Sequence, residues 1–454
     1  MFKRKRLGIL AAMVIFAAAP AAQAQSLSEA LASAYENSGL LEQNRALLRA
    51  ADEGVAQSVA ATLPVINWSL SASRTRVTTP VTTTTNSANA RISGSLNLYD
   101  GGADDLAIEA QKEIVLATRQ SLRGIEQDVL LRAVQAYTNV IRAREFVQLR
   151  ENNVRLITQE LRAAQDRFEV GEVTRTDVSL AEARLASARS LLAGAQGDLS
   201  IAAEEFNVAV GRMPASPRNV SPAPVSRSLG EARALAVRNH PAILEAQRNV
   251  AAAELNIRRA EAATRPSVTL DGFVGIDQDG NDSAQIGVNI GGPIYTGGLI
   301  ASQVREARAN RDASRAGLLL VTQSIEQQVA NAFAQLRVSR ATRQASEQQI
   351  SAARVAFDGV REEAQLGSRT TLDVLNAEQE LLDARTAQIA AQADEVVASY
   401  RLLAAMGLLT ADHLNLPVQQ YDVSAYYNLV KSAPLPMSEQ GRALERVLEA
   451  IGQE

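Results

Sequence analysis

Residues 88–102 read ANARISGSLNLYDGG. Ala88, Ala90, Ile92, Gly94, Leu96 and Leu98 alternate with Asn89, Arg91, Ser93, Ser95 and Asn97. A period of two puts one apolar and one polar face on an extended strand. The run stops at Tyr99-Asp100-Gly101-Gly102, and helical periodicity takes over. A matching alternation precedes it, with Ile66, Trp68, Leu70 and Ala72 set against Asn67, Ser69, Ser71 and Ser73. Each strand spans about 10 residues, the length of a tilted membrane-spanning β-strand. Residues 78–87, between the two, read as a turn, polar but for Pro80 and Val81.

The same plan occurs twice. Ser26-Leu27-Ser28-Glu29-Ala30 matches Ser228-Leu229-Gly230-Glu231-Ala232 at an offset of 202. Tyr99-Asp100-Gly101-Gly102 matches Tyr295-Thr296-Gly297-Gly298 at 196, and Gly171/Gly367, Asp177/Asp373, Glu182/Glu378 and Gly211/Gly407 keep that offset. One difference of six residues, lying between positions 64 and 99, reconciles the two offsets. The chain therefore reads as a tandem duplication: repeats over residues 25–211 and 228–411, a Pro-rich linker over 212–227, and a tail over 412–454. The second repeat carries its own strands, with Val268, Leu270, Gly272, Val274 and Ile276, then Ala284, Ile286, Val288 and Ile290, on the apolar side. Four strands cannot close a barrel, and lipid does not tolerate an open edge. Two copies would give eight strands and three would give twelve; alternation alone does not choose.

Between the strands lie long helices with a coiled-coil seam. Ala133, Ala136, Val140, Ala143, Val147, Arg150, Val154, Ile157, Leu161, Ala164 and Phe168 recur at spacings of 3 and 4, apolar at all but Arg150. The returning helix runs Val178, Ala181, Leu185, Ala188, Leu192, Ala195, Leu199, Ala202, Phe206 and Ala209. Residues 102–168 would span roughly 100 Å, and the returning helix (177–210) and the leading helix (27–62) about half that each. Two short helices stacked end to end match one long one. A tube crossing the periplasm fits that dimension.

Lys3, Arg4, Lys5 and Arg6, an apolar run to Ala19 and Ala22-Gln23-Ala24 predict a secretory signal over residues 1–24. Removing those four cations from 46 basic residues leaves 42 against 50 acidic ones, a net charge of −8 that argues against nucleic acid as a partner. With no cysteine there are no disulfides or thiolate metal sites. His240 and His413 are the only histidines, far apart in the chain, and no P-loop, Rossmann or H-E-x-x-H pattern occurs. Residues 277–282 superficially resemble the start of a calcium loop, but Val288 stands where a glutamate is needed. No cofactor and no enzyme activity are expected.

The junctions Leu98-Tyr99-Asp100-Gly101-Gly102 and Pro293-Ile294-Tyr295-Thr296-Gly297-Gly298, with the duplicated Gly-x-x-Thr-x-x-Asp-Val of residues 171–178 and 367–374, resemble the TolC-like outer-membrane efflux and secretion channels. The resemblance covers nearly all of the chain after the signal. It implies a fold that is mainly α with a transmembrane β part: a homotrimeric 12-stranded β-barrel, four strands per protomer, continued by an α-helical coiled-coil barrel. It implies a channel-tunnel in the outer membrane for multidrug efflux, type I protein secretion or both. The implied partners are a periplasmic adaptor (membrane fusion) protein, an inner-membrane RND or ABC transporter, and outer-membrane lipid. The alternative is a non-conducting trimeric helical scaffold or adhesin in the periplasm, against which the alternating strands argue.

Chemistry is expected at the hairpin tips. Gly171 and Gly367 suit the left-handed residue that ends a helix. Thr174 with Asp177, and Thr370 with Asp373, have the spacing of a capping box. The resemblance maps a periplasmic aperture onto Asp373, with Asn376 where the family pattern has a second acid. It also maps closed-state tethers from Arg369 to Thr176 and Asp177, beside Arg175, while a further tyrosine tether maps onto Ala364 and is missing. Tyr99, Tyr295 and Trp68 are expected at the membrane interface; Phe273 falls in the polar register.

Overall fold

The computed structural model describes residues 26–226 and 228–452; the expected signal over 1–24 lies outside them. Helix α1 (Leu27–Asn37) opens on a full capping box between Ser26 and Glu29. The expected single leading helix is in fact two. Ser38 breaks off α1 with an extended backbone and caps α2 (Gly39–Ala60) by accepting from the Leu41 amide at 3.3 Å. A Ser-Gly pair has weak helix propensity, and the serine hydroxyl offers the backbone an alternative partner.

The sheet follows as β1 (Val65–Thr78), β2 (Thr82–Tyr99), β3 (Ser267–Asp277) and β4 (Asp282–Gly291), antiparallel in the order β1-β2-β3-β4. The first hairpin corrects the expected strand length, since β1 has 14 residues and β2 has 18. Residues 82–87, read as turn, are strand, paired in register from Thr78↔Thr82 to Ser73↔Ser87. Threonine-rich segments suit a pleated surface, so the extra length of the first repeat extends the strands and leaves the turn short. Among the described residues, β1 and β4 each have one unpaired edge.

Glycines turn the strands into the long helices. Gly102 (φ 85°) and Gly298 (φ 86°) stand in the left-handed region just before α3 (Ala103–Glu169) and α7 (Leu299–Gln365). Asp100 fastens the first corner by accepting from the amides of Gly102, Ala103 and Asp104 at 2.9, 3.1 and 2.6 Å. Each long helix has 67 residues, about 100 Å at 1.5 Å per residue. Turns at the far end lead into α4 (Arg175–Val210) and α8 (Thr371–Ala405). In the second repeat, α5 (Leu229–Asn239) and α6 (Pro241–Ala262) again replace one leading helix. Pro241 lacks an N–H, and His240 before it is extended and caps α6 through Nδ1, which accepts from the Ala242 amide at 3.2 Å.

The helices form one wall four columns wide. Near the sheet its order is α2, α3, α6, α7; near the tips it is α4, α3, α8, α7. Apolar packing is thickest at the waist, where Tyr137 meets Phe206 at a ring distance of 6.2 Å. The Tyr137 hydroxyl donates to the Arg218 carbonyl and accepts from its amide at 3.0 and 2.9 Å, clasping the linker into the core. The tail belongs to the waist too: α9 (Ala425–Val430) lies on α2, with the Tyr426 hydroxyl donating to Glu53 at 2.6 Å, and α10 (Glu439–Gly452) follows.

Candidate functional site

The hairpin tips take their shape from local chemistry. Gly171 (φ 80°) and Gly367 (φ 78°) end α3 and α7 in the left-handed region. At each tip a threonine amide and hydroxyl donate to the following aspartate, and that aspartate's amide donates back to the hydroxyl. Thr174 and Asp177 do this at 2.9, 2.7 and 3.3 Å. Thr370 and Asp373 repeat it at 3.0, 2.8 and 3.2 Å. Bonds to a carboxylate favour its charged form. The Thr174 side chain and amide hold the Asp177 pKa below the usual carboxylate range. For Asp373 the Thr370 amide leads, then its hydroxyl, with Arg369 adding a smaller pull. Both tips therefore carry fixed negative charge.

Within one chain, Arg369 does not reach Thr176 or Asp177. Its Nε instead donates to Glu363 Oε2 at 2.8 Å inside its own hairpin, and that bond holds its pKa up. Arg175 and Thr176 are exposed. Asn376 Oδ1 accepts from Arg184 Nη2 of α4 at 3.3 Å, bridging the two hairpins. Ala364 is buried with Phe357, Val374 and Leu381, so the position expected to lack a tether is a packing position.

A second link between the hairpins had not been singled out. Asn153 Nδ2 on α3 donates to Glu378 Oε1 on α8 at 2.7 Å, and Glu378 is only 4 % exposed. Burial raises the Glu378 pKa to about 7, against the pull of Asn153. Its other oxygen, Oε2, has no partner among the described residues. Higher up, Glu395 is also buried and receives Arg343 Nε at 2.6 Å. Glu395 stands 196 residues after Leu199 of the first repeat's seam, an acid at an apolar place, whereas Glu378 matches Glu182 and carries no such signal.

The sheet settles the strand register. Its apolar rows run Ile66–Gly94–Gly272–Ile286 and Trp68–Ile92–Val274–Ala284, and a third, Leu70–Ala90–Ile276, ends on the acidic Asp282. These apolar side chains project away from the protein, Trp68 being 81 % exposed. Trp68 pairs with Ile92, in the row between those of Ile66 and Leu70. Tyr99 lies at the helix-side margin opposite Val268, and Tyr295 just beyond β4. Phe273 is on the polar face, where the Arg91 guanidinium stacks at 4.0 Å from its ring centre. The turn at Asp277 closes on itself, with Asp277 accepting from the amides of Asp279 and Asn281 at 2.9 Å each. Among the described residues, no cluster of three metal-ligating side chains occurs and no helix is long and apolar enough to cross a membrane.

Residues 30–212 and 233–408 match the family model described as outer membrane efflux protein. The chain is 37% identical over 422 residues to the outer membrane efflux protein BepC of Brucella suis, covering 90% of this chain and 91% of that one. It is 26% identical to the outer membrane protein TolC of Vibrio cholerae over 90% of this chain and 96% of the relative. Among solved structures, a CusC channel superposes with a TM-score of 0.76 at 21% identity, over 84% of this chain and 92% of the other. VceC of Vibrio cholerae does so with 0.71 at 22% identity, over 84% and 96%. Two matched blocks spanning both repeats, together with exposed apolar strands above a helical wall, leave one assignment. The chain belongs to the outer membrane efflux protein family: it is a TolC-like efflux channel of the outer membrane, not an enzyme, with its helical tunnel in the periplasm.

Proposed function

We propose that three copies close one 12-stranded barrel and one helical tunnel, conducting substrates delivered by an inner-membrane transporter and a periplasmic adaptor. The observation that carries this is the open sheet. β1 and β4 have free edges, and an apolar face as exposed as theirs needs both lipid and neighbours. The helical wall has matching flanks: Ile201 and Val208 on α4, and Leu319 and Leu320 on α7, are exposed at its two sides. Chemical cross-linking in membranes should stop at three chains, and the purified protein should conduct in a planar bilayer. A monomer or a non-conducting oligomer overturns the reading and favours a scaffold.

The family includes proteins named for efflux and others named for secretion, such as the alkaline protease secretion protein AprF of Pseudomonas aeruginosa, 26% identical over 66% of this chain. One duct serves either cargo. Deleting the gene and measuring drug susceptibility and secreted protein together separates the two.

The gate lies at the tips. A ring of three Asp373 carboxylates, ionised because Thr370 holds them so, favours cations at the mouth. Asn376 contributes no charge to that ring. Arg369 donates to Glu363 in its own hairpin, and the tether would exchange that acceptor for Asp177 of a neighbour. Arg369→Ser is expected to raise single-channel conductance, and Glu363→Gln, which frees the arginine for its neighbour, to lower it. Equal conductance in wild type and both variants sinks the tether.

A further inference from the structure

The register of β1 with β2 runs unbroken from Val65↔Ser95 to Thr78↔Thr82, so alternate side chains keep one face throughout. Arg74 and Arg76 therefore share the lipid-side face with Ile66, Trp68, Leu70 and Ala72, opposite Asn86 and Thr84. β4 ends at the row of Leu70 and Ala90 and β3 one residue further, at Asp277 opposite Asn89, so the rest of the first hairpin overhangs the sheet. It lies at the end away from all four helix junctions, beyond the apolar band.

Charge in the overhang is sorted by face. Residues 73–87 contain two arginines and no acidic residue. The lumen-side face of the same segment, with Ser73, Thr75, Val77, Thr83, Thr85 and Ser87, has no charge at all. Both arginines are exposed, and neither forms an ion pair with another described residue. Two residues apart on one face, the guanidinium groups start about 7 Å from each other, near enough to repel and to share one anion. A solubilising tip would spread its charge over both faces. Charge confined to the lipid side, next to the last apolar row, meets the headgroup layer.

We propose that Arg74 and Arg76 bind phosphate groups of anionic lipid in the leaflet that surrounds the hairpin ends. Guanidinium matches a phosphate with paired N–H donors, and is less strongly hydrated than an ammonium group. Three copies would ring the barrel with six such groups, anchoring its height in the bilayer. This rests on the barrel reading above.

The test uses the full chain reconstituted in phosphatidylcholine vesicles, alone or with roughly a third of phosphatidylglycerol, and follows thermal dissociation of the oligomer. Anionic lipid is expected to raise the midpoint by about 5 °C, and inorganic phosphate added to plain phosphatidylcholine not to. Arg74→Ser/Arg76→Ser should lose most of that rise, and Arg74→Lys/Arg76→Lys should keep about half, since lysine retains charge without the fork. A serine variant that keeps the full rise overturns the proposal. So does one that is weakened equally in both lipids, which would assign the arginines to an ion pair with Asp282 on β4 of a neighbouring copy. A chain that inserts in neither vesicle overturns the barrel reading itself, and with it this one.

Discussion

Gly407→Ala is expected to destabilise the protein by about 3 kcal/mol, combining a left-handed backbone with forced overpacking. Gly407 (φ 75°) ends α8, and its amide donates to the Ala404 carbonyl at 2.9 Å. A Cβ there would stand 2.7 Å from His240 Cα and 2.8 Å from the Asn239 carbonyl oxygen. Both are backbone atoms at the break between α5 and α6, with no room to swing aside. The repeat supplies the control. Gly211 (φ 82°) ends α4 against the break between α1 and α2, but its Cβ would meet the Asn37 side chain, 2.7 Å away at Cβ. Gly211→Ala should cost less, because of the nearest atoms only Asn37 Cβ stands under 3.0 Å there, against three backbone atoms at Gly407, and Asn37 Cγ and Nδ2 can turn away. Thermal melts of both variants in detergent check the order. A Gly407→Ala protein melting with the wild type would mean that the two helix ends do not touch.

The second large effect is a pH dependence at Glu378. Its folded pKa of about 7 stands above the ordinary glutamate value of 4.5 because burial disfavours the charge. The folded state thus holds this proton where the unfolded chain has released it. Stability contributed by the neutral acid is complete below about pH 4.5, falls as pH rises, and is lost above about pH 7. Integrated over that window, the loss is on the order of 3 kcal/mol. The groups around it are Asn153, which donates to it, Glu160, which opposes its ionisation, and Arg184, which favours it. Glu378→Gln keeps an oxygen for Asn153 and removes the titration. It should match wild type near pH 4 and melt well above it at pH 8. Equal melting at pH 8 would show that the carboxylate ionises there without cost. Because the contact joins α3 to α8, tip opening should also need less work at high pH in the wild type alone.

Much of this was legible because it is local. Alternation in residues 88–98 depends only on the pleat, and the corner glycines at 102 and 298 only on backbone angles. The Thr174/Asp177 and Thr370/Asp373 boxes close within four residues, so spacing alone specifies them. Helix breaks were half legible: Pro241 marks one, whereas Ser38-Gly39 weakens a helix too slightly to be read as its end. Strand length in the first hairpin was missed because threonine and serine serve a turn as well as a strand.

Positions 182 and 378 show where local reading stops. Both are glutamates at matching places in the two repeats, four residues after the valine, Val178 or Val374, that begins each returning seam. Glu182 on α4 is exposed, and Glu378 on α8 is buried, because α8 lies between α3 and α7 while α4 stands at the flank of the wall. The sequence by itself determined the duplicated plan, the faces of the strands and the reach of the helices, since each follows from the spacing of residues along one element. Only the tertiary structure decided which of two equivalent carboxylates lost its water, which neighbour Arg369 takes within the chain, and that Phe273 lies under Arg91. Those depend on what is packed alongside, and desolvation is set by neighbours that no periodicity records.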